Sequence, residues 1–394
     1  MKIGIDARPL QHETQYRGIG KALEFLLLAL REQLEKDDLL IFYTDEGLPR
    51  PRALDGFPNA KINRVPTSKL GRKRYFRSFM ASFKTINPNP KEIDVLLQYD
   101  ASFGVPKSVP TVVVFHDLIP YLFRNQEKQR PVKGPRKAKD ALARSMYWKK
   151  YLRTLDDYKN ADRIIAISES SKADLLKHID GVEKSDVEVI GHGVNMLESA
   201  GDIGPKIKGL SKTEYLLYVG GIDIRKNVMG LLESFFELKA IRPQLKLVMV
   251  GKEFELRDRL DDLGWTSALG ANHQYAKDVI LPGFINSAEL FFLYQKASAF
   301  VFPSRYEGFG LPVLEAMAAG CPVIAYDNSS IPEVAGGAAL LVRDGDKLTP
   351  AIADLLQKPV LRKELVKKGY AQSKKFSWNQ SAEKTLRVLR ELAK

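Results

Sequence analysis

Residues 304–334 read SRYEGFGLPVLEAMAAGCPVIAYDNSSIPEV, and this stretch decides the fold. The apolar run that leads into it, 299–303, reads as a buried strand. The chain then turns at Gly308 and Gly310, and Pro312 suits the first helical position, where its missing N–H costs nothing. On this spacing Glu315 falls in the first helical turn and Glu307 in the loop before it. Amides that open a helix have no intrahelical partners and carry the positive end of its dipole, so they form a ready site for phosphate. A loop carboxylate, free amides and a helix-borne carboxylate are therefore expected to share one pocket.

Outward from this stretch, short apolar runs alternate with helical periods along nearly the whole chain, the pattern of parallel sheets covered by helices. Strands are expected at 2–5, 39–44, 95–99, 111–115, 163–168 and 187–190, and again at 215–219, 245–250, 279–281, 300–302, 323–326 and 339–342. Between them, 20–34 carries a core-facing stripe of Leu23, Leu26, Leu27 and Leu30. Residues 136–160 read as a long helix with its basic residues outward. Residues 196–212 lack a period and contain Gly201, Gly204, Pro205 and Gly209, so they read as a linker. The expected plan is an α/β domain over 1–195, a linker over 196–212, a second α/β domain over 213–376 and a closing helical segment over 377–394.

A length of 394 residues leaves room for two or three domains, each able to bury a core. Hydrophobic content of 44% with 28% charged residues is that of a soluble globular protein. No apolar run approaches the ~18 residues of a spanning helix, and the opening MKIGIDARPL reads as a short strand rather than a leader. The single cysteine, Cys321, excludes an internal disulfide, fits a reducing compartment and reads as a buried structural thiol. The net charge of +13 is concentrated: 128–153 holds ten basic residues against one acid, Asp140, and 69–77 adds five without an acid. Nucleic acid, an anionic membrane or a phosphorylated substrate would each suit this excess. With no zinc spacing or RNA-binding motif, nucleic acid is not expected as a partner.

Further candidates stand at strand ends. Residues 215–227, YLLYVGGIDIRKN, form a strand ending in glycines that delivers Arg225 and Lys226 where the helix with Leu231, Leu232 and Phe235 begins. Ligands of such sheets bind at the C-terminal strand ends, and a purely exposed basic pair there would oppose the helix dipole. His116 and Asp117 follow the strand TVVVF, a context that His12, His178, His192 and His273 lack. The RGIG of 17–20 opens the first long helix, where glycine lets a backbone come close to an anion; a capping turn is the plain alternative. The dinucleotide spacing G-x-G-x-x-G is absent. So are D-x-D, H-E-x-x-H and paired cysteines, hence no metal site is expected.

The Glu307–Glu315 spacing and its glycine turn resemble the E-x7-E motif of the retaining glycosyltransferases of family 4. The HDLIPYLF of 116–123 and the YVGGIDIRKN of 218–227 look most like bacterial mannosyl- and rhamnosyltransferases of surface polysaccharide synthesis. The resemblance covers essentially the whole chain and is densest in the second half. It implies the GT-B fold, two doubly wound Rossmann-like domains facing across a cleft, and transfer of a hexosyl or deoxyhexosyl unit from a nucleotide diphosphate sugar, with GDP-mannose the first donor expected and dTDP-rhamnose or a UDP-hexose next. Position by position, it gives Glu315 to the ribose, the backbone of Phe309, Gly310 and Leu311 to the diphosphate and sugar, and Glu307 to sugar hydroxyls near the reacting carbon. Lys226 and Arg225 would stabilise the leaving diphosphate. Gly221 stands where many relatives carry an arginine, whose charge Arg225 would supply. His116 would position sugar or acceptor, Gly18 and Gly20 would approach the donor phosphates, and Gly283 would lie beside the base.

The same resemblance implies no cofactor or metal, a glycan or lipid-linked acceptor, and a cytoplasmic protein whose cationic first domain can sit on an anionic membrane. Two other classes stand against it. A nucleotide-sugar-binding pseudoenzyme would keep the pocket without turnover, and a Rossmann oxidoreductase shares the sheet pattern but is disfavoured by the missing dinucleotide fingerprint.

Overall fold

Two runs of parallel strands organise the computed structural model, which describes residues 1–12, 18–66, 85–124, 137–194, 201–251, 273–283 and 285–394. Arg17, the basic run of 69–77, the basic residues of 128–136, the first part of the linker stretch (196–200) and Phe284 lie outside the described residues. The first sheet comprises β1 (Lys2–Asp6), β2 (Leu39–Asp45), β3 (Ala60–Val65), β4 (Val95–Gln98), β5 (Thr111–Phe115), β6 (Arg163–Ala166) and β7 (Val187–Val189). Its order is β3-β2-β1-β4-β5-β6-β7, with every pair parallel. β4 and β5 are buried along their whole length. A strand covered on both faces has no solvent side to make polar, which is why VLLQ and TVVVF are near-continuous apolar runs. α1 (Gly18–Arg31), α2 (Lys137–Asp157) and α3 (Glu169–His178) belong to this half.

The second sheet comprises β8 (Tyr215–Val219), β9 (Lys246–Val250), β10 (Val279–Ile280), β11 (Ala299–Phe302), β12 (Val323–Asp327) and β13 (Ala339–Arg343), ordered β10-β9-β8-β11-β12-β13 and again all parallel. Its helices are α4 (Val228–Lys239), α5 (Ser287–Lys296), α6 (Leu311–Ala318), α7 (Ile331–Ala335), α8 (Thr349–Gln357) and α9 (Pro359–Ser373), and α10 (Trp378–Leu392) closes the chain. α4 and α8 pack their leucines and phenylalanines onto β8, β9 and β11 in one core.

The chain divides into two compact units, 1–193 with 377–394, and 194–376. α10 belongs to the first because its apolar stripe, Trp378, Ala382, Leu386 and Leu389, is buried there, with Trp378 stacked on Phe25 of α1 at 6.0 Å between ring centroids. Residues 201–212, from the stretch read as a linker, belong to the second unit. They hold a helical turn (Pro205–Lys208) and a 3-10 turn (Gly209–Lys212), bury Ile207 and Leu210, and are tied to the start of α5 by Gly204 N–H donating to Glu289 Oε1 at 3.1 Å.

β3 has no counterpart among the expected strands. Its sequence, AKINRV, pairs along only one side at the edge of the sheet and leaves Lys61 and Arg64 exposed, so it lacks the apolar run that marks its neighbours. In each sheet the winding reverses once, between β1 and β4 and between β8 and β11. At such a reversal the loops leave toward opposite faces and open a crevice beyond the strand ends.

Candidate functional site

At the second reversal, the loop after β8 meets the loop after β11. Ile224–Lys226 form a 3-10 turn, and Asn227, in the left-handed region with φ 49°, redirects the chain into α4. This turn aims two adjacent cations at the loop that carries Glu307. Arg225 Nη1 donates to Glu307 Oε1 at 2.8 Å and to the Tyr306 carbonyl at 3.0 Å, and Lys226 Nζ donates to the same Oε1 at 2.6 Å. The backbones are stitched as well, with Arg305 N–H donating to Arg225 O at 2.7 Å. Ser304 Oγ also donates to Oε1. Oε1 therefore takes three donors, and Oε2 takes none of them.

The electrostatics follow from this packing. Burial works to raise the Glu307 pKa, but the charges of Lys226 and Arg225 outweigh it and hold the carboxyl below its ordinary value. Burial pulls the Lys226 pKa down, and the attraction of Glu307 only partly restores it. Lys226 Nζ also lies 4.8 Å from the Phe302 ring centroid. With Glu307 ionised, the two cations share its one buried carboxylate, and the more exposed Asp223 carboxylate lies 3.9 Å from Arg225 Nη2.

A third loop, after β12, holds Glu307 from behind, and the sequence reading missed it. Glu307 N–H donates to Ser329 Oγ at 2.9 Å, Ser330 Oγ donates to the carbonyls of Glu307 at 2.9 Å and Phe309 at 2.7 Å, and Asn328 Nδ2 donates to Ser304 O at 3.1 Å. Ser329 has φ 46°, a costly conformation for a serine that this clamp maintains. The run NSS of 328–330, all three residues of which favour side chain to backbone bonds in turns, was the available signal.

Gly310 caps α6 with φ 107°, a left-handed conformation that favours glycine, and a Cβ there would stand 2.8 Å from Ile331 Cδ1. Leu311 is the first helical residue and Pro312 the second. Glu315 is consequently the fifth, one residue beyond the first turn where the sequence placed it, because the helix starts after the glycine and not at the proline. Its carboxylate accepts from Tyr294 Oη at 3.3 Å, and burial pushes its pKa up to about 7, only partly offset by that hydroxyl. The structure thus joins Arg225, Lys226 and Glu307 directly, while Glu315 contacts α5 instead. The Phe309 ring is buried edge-on to Phe376 at 5.8 Å, which leaves only its backbone for a ligand. The Gly221 carbonyl accepts from Tyr218 Oη at 2.5 Å. Gly283, with φ 80°, follows β10.

The remaining candidates lie in the first unit. Gly18 and Gly20 open α1, Gly18 with nothing within 4 Å of an added Cβ and Gly20 buried. The ring of His116, just after β5, is buried, and its Nε2 lies 2.8 Å from the Tyr99 carbonyl. A carbonyl can only accept, so Nε2 carries the proton and Nδ1 is the acceptor of the neutral ring. Burial lowers the His116 pKa despite Asp100 and Asp117 nearby. His192 does have a special context, contrary to the sequence reading: its ring centroid is 6.1 Å from that of His116, it stacks on Trp378 at 5.3 Å, and burial takes its pKa to about 3. Lys150 does not point outward as its helix suggested. It is partly buried, and that burial draws its pKa to about 7 against the pull of Asp100. Among the described residues no group of three His, Cys, Asp or Glu side chains could hold a metal, and no helix is long and apolar enough to cross a membrane.

Two family models match the chain in tandem, one described as Glycosyltransferase Family 4 over residues 23–196 and one as Glycosyl transferases group 1 over 203–372. O-antigen chain mannosyltransferase B of Escherichia coli is 36% identical over 188 residues, which are 45% of this chain and 46% of that protein. The serotype-specific mannosyltransferase WbdA, also of Escherichia coli, is 29% identical over 286 residues, 69% of this chain and 32% of that protein. The chain therefore spans less than half the length of these curated relatives. Among solved structures, sucrose-phosphate synthase from Thermosynechococcus elongatus superposes with a TM-score of 0.71 at 20% identity, covering 100% of this chain and 99% of that one. WaaG, a glycosyltransferase involved in lipopolysaccharide biosynthesis, gives 0.66 at 15%, covering 99% of each chain. At these identities the likeness establishes the fold, GT-B, with its two parallel-sheet units.

Proposed function

We propose, for a chain that belongs to the family 4 and group 1 glycosyltransferases, retaining transfer of a hexosyl unit from a nucleotide diphosphate sugar to an acceptor hydroxyl, with GDP-mannose the first donor. The observation that carries this is the Arg225–Lys226–Glu307 group at the second sheet reversal. Its two adjacent cations suit a diphosphate, and fixed cations stabilise negative charge as it builds on a leaving group. The α6 amides at Gly310 and Leu311 add a helix N-terminus to the same side of the sheet. Glu307, locked through Oε1, offers Oε2 to a sugar hydroxyl. Glu315 would accept from the ribose hydroxyls.

In the proposed step the bond from the anomeric carbon to the diphosphate oxygen breaks as the acceptor oxygen bonds to that carbon from the same face. The departing oxygen takes the acceptor proton, so the nucleoside diphosphate leaves and the anomeric configuration is kept. The mannosyl choice is supported by the two mannosyltransferases among the relatives. A neutral His116 with Nδ1 as acceptor would orient an acceptor hydroxyl. For a lipid-linked acceptor, the exposed Met146, Lys149, Leu152 and Arg153 of α2 would favour an anionic membrane surface; flotation with anionic vesicles at low salt, lost at high salt, tests that part.

The donor is tested by thermal shift of the full chain against GDP-, UDP-, dTDP- and ADP-sugars, since a ligand that binds the folded state raises its melting temperature. The largest rise is expected with GDP-mannose. Stabilisation by none of the panel would contradict the reading, and stabilisation without release of nucleoside diphosphate across an acceptor panel would make the protein a binding module.

A further inference from the structure

A second concavity lies at the other end of the second sheet. Ala297 and Pro322, which line it, stand just before β11 and β12, so it opens at the N-terminal strand ends, whereas the Glu307 group gathers at the C-terminal ends. Its volume is about 610 Å³, within the ~300–1,000 Å³ typical of small-molecule pockets. One wall is a face of α9, where Arg362, Lys363, Val366, Lys367 and Tyr370 recur at helical spacing.

The charges on this wall are not balanced among the described residues. Nearby lysines have acidic partners, Lys358 with Asp354 at 2.6 Å and Lys368 with Glu364 at 2.7 Å. Arg362, Lys363 and Lys367 meet no carboxylate among the described residues. Arg362 is also partly buried. Beside these cations the Tyr370 ring is 43% exposed. Its hydroxyl rests on Gly320, 2.1 Å from where a Cβ would stand, at a φ of 77° that suits glycine. An open ring next to three unpaired cations presents an apolar ledge and an anion clamp together.

We propose that this groove binds a phosphate ester bearing a flat ring, its phosphate held by Arg362, Lys363 and Lys367 and its ring lying against Tyr370. The occupant is distinct from the donor. α6 starts after Gly310 on the Glu307 side and ends shortly before Gly320 in the groove wall, and its eight residues span about 12 Å between them.

The test is isothermal titration of p-nitrophenyl phosphate into the full chain, compared across wild type, the triple variant Arg362→Gln/Lys363→Gln/Lys367→Gln, Tyr370→Ala, and Lys226→Gln, with folding checked by circular dichroism. Binding should weaken at least tenfold in the triple variant and by a smaller factor in Tyr370→Ala, and should stay within twofold of wild type in Lys226→Gln. Equal affinity in wild type and the triple variant overturns the proposal, as does absence of binding to wild type. It is likewise overturned if neither protein binds the ester but wild type floats with phosphatidylglycerol vesicles and the triple variant does not, since the cations would then serve a membrane.

Discussion

The two sheets reverse their winding at equivalent places, but the chemistry there differs. At the first reversal, Asp6 and Arg8 are wholly buried and paired through two bonds, Nε to Oδ1 at 2.8 Å and Nη2 to Oδ2 at 2.6 Å. Gln98 at the end of β4 donates to the same carboxylate at 2.8 Å, and the Phe103 ring covers the guanidinium at 4.3 Å. At the second reversal two cations share one carboxylate, and Arg225, Lys226 and Glu307 keep 15%, 9% and 11% of their side-chain surface. One charge group is sealed, and the other keeps part of its cations' surface exposed. Topology supplies a crevice in both cases, and the exposure of the charges separates the pair that serves the fold from the group proposed to serve a ligand.

The largest effect should come from the sealed pair. Arg8→Ala strands a buried carboxylate and is expected to lower stability by about 3–5 kcal/mol, measured by urea unfolding. Arg225→Ala should cost far less stability, because Lys226 and Ser304 still hold Glu307, but should depress turnover. Equal stability losses would erase the contrast. Next in size, Glu307→Gln keeps the shape but removes the charge beside the reacting sugar, so kcat should fall about a hundredfold with donor affinity changed less. Near-normal turnover in a folded variant would reject that role.

Glu315 gives a smaller, pH-dependent effect. Its folded pKa of about 7 lies above the ordinary 4.5, so the folded protein retains a proton that the unfolded chain releases. Its contribution to stability is full below about pH 4.5 and declines until about pH 7. Glu315→Gln should flatten that decline in melting curves. Donor affinity should rise with pH through about 7 as the carboxylate forms, and should be weaker and flat in the variant. The smallest expected change is none: EDTA should leave the transfer rate intact, with the donor's anomeric configuration retained in the product by NMR. Activity abolished by EDTA and restored by manganese or magnesium would show that the cations do not suffice.

The sequence made the strand alternation legible because strands such as YLLYV of β8 are buried on both faces and need unbroken apolar runs. It hid β3 because an edge strand with Lys61 and Arg64 has no such need. The residue types of the site were legible too, since glycines before a helix and carboxylates at a fixed spacing are local features. Their partnership was not. Arg225 and Glu307 are 82 positions apart and meet only because β8 and β11 are neighbours in the sheet, a consequence of strand order. The clamp by Ser329 and Ser330 depends on β12 lying next to β11 in the same way. Lys150 was misjudged because α2 carries charge around much of its circumference, so its pattern does not show which side meets Asp100.

The central claim is that the cations at the reversal of the second sheet hold a nucleoside diphosphate without a metal. Calorimetric titration of GDP, with EDTA present, into wild type and into the Arg225→Gln/Lys226→Gln double variant tests it directly. The expected result is saturable binding to wild type that weakens at least tenfold in the folded double variant. Undiminished affinity in that variant, or binding that appears only when a divalent cation is added, would contradict it.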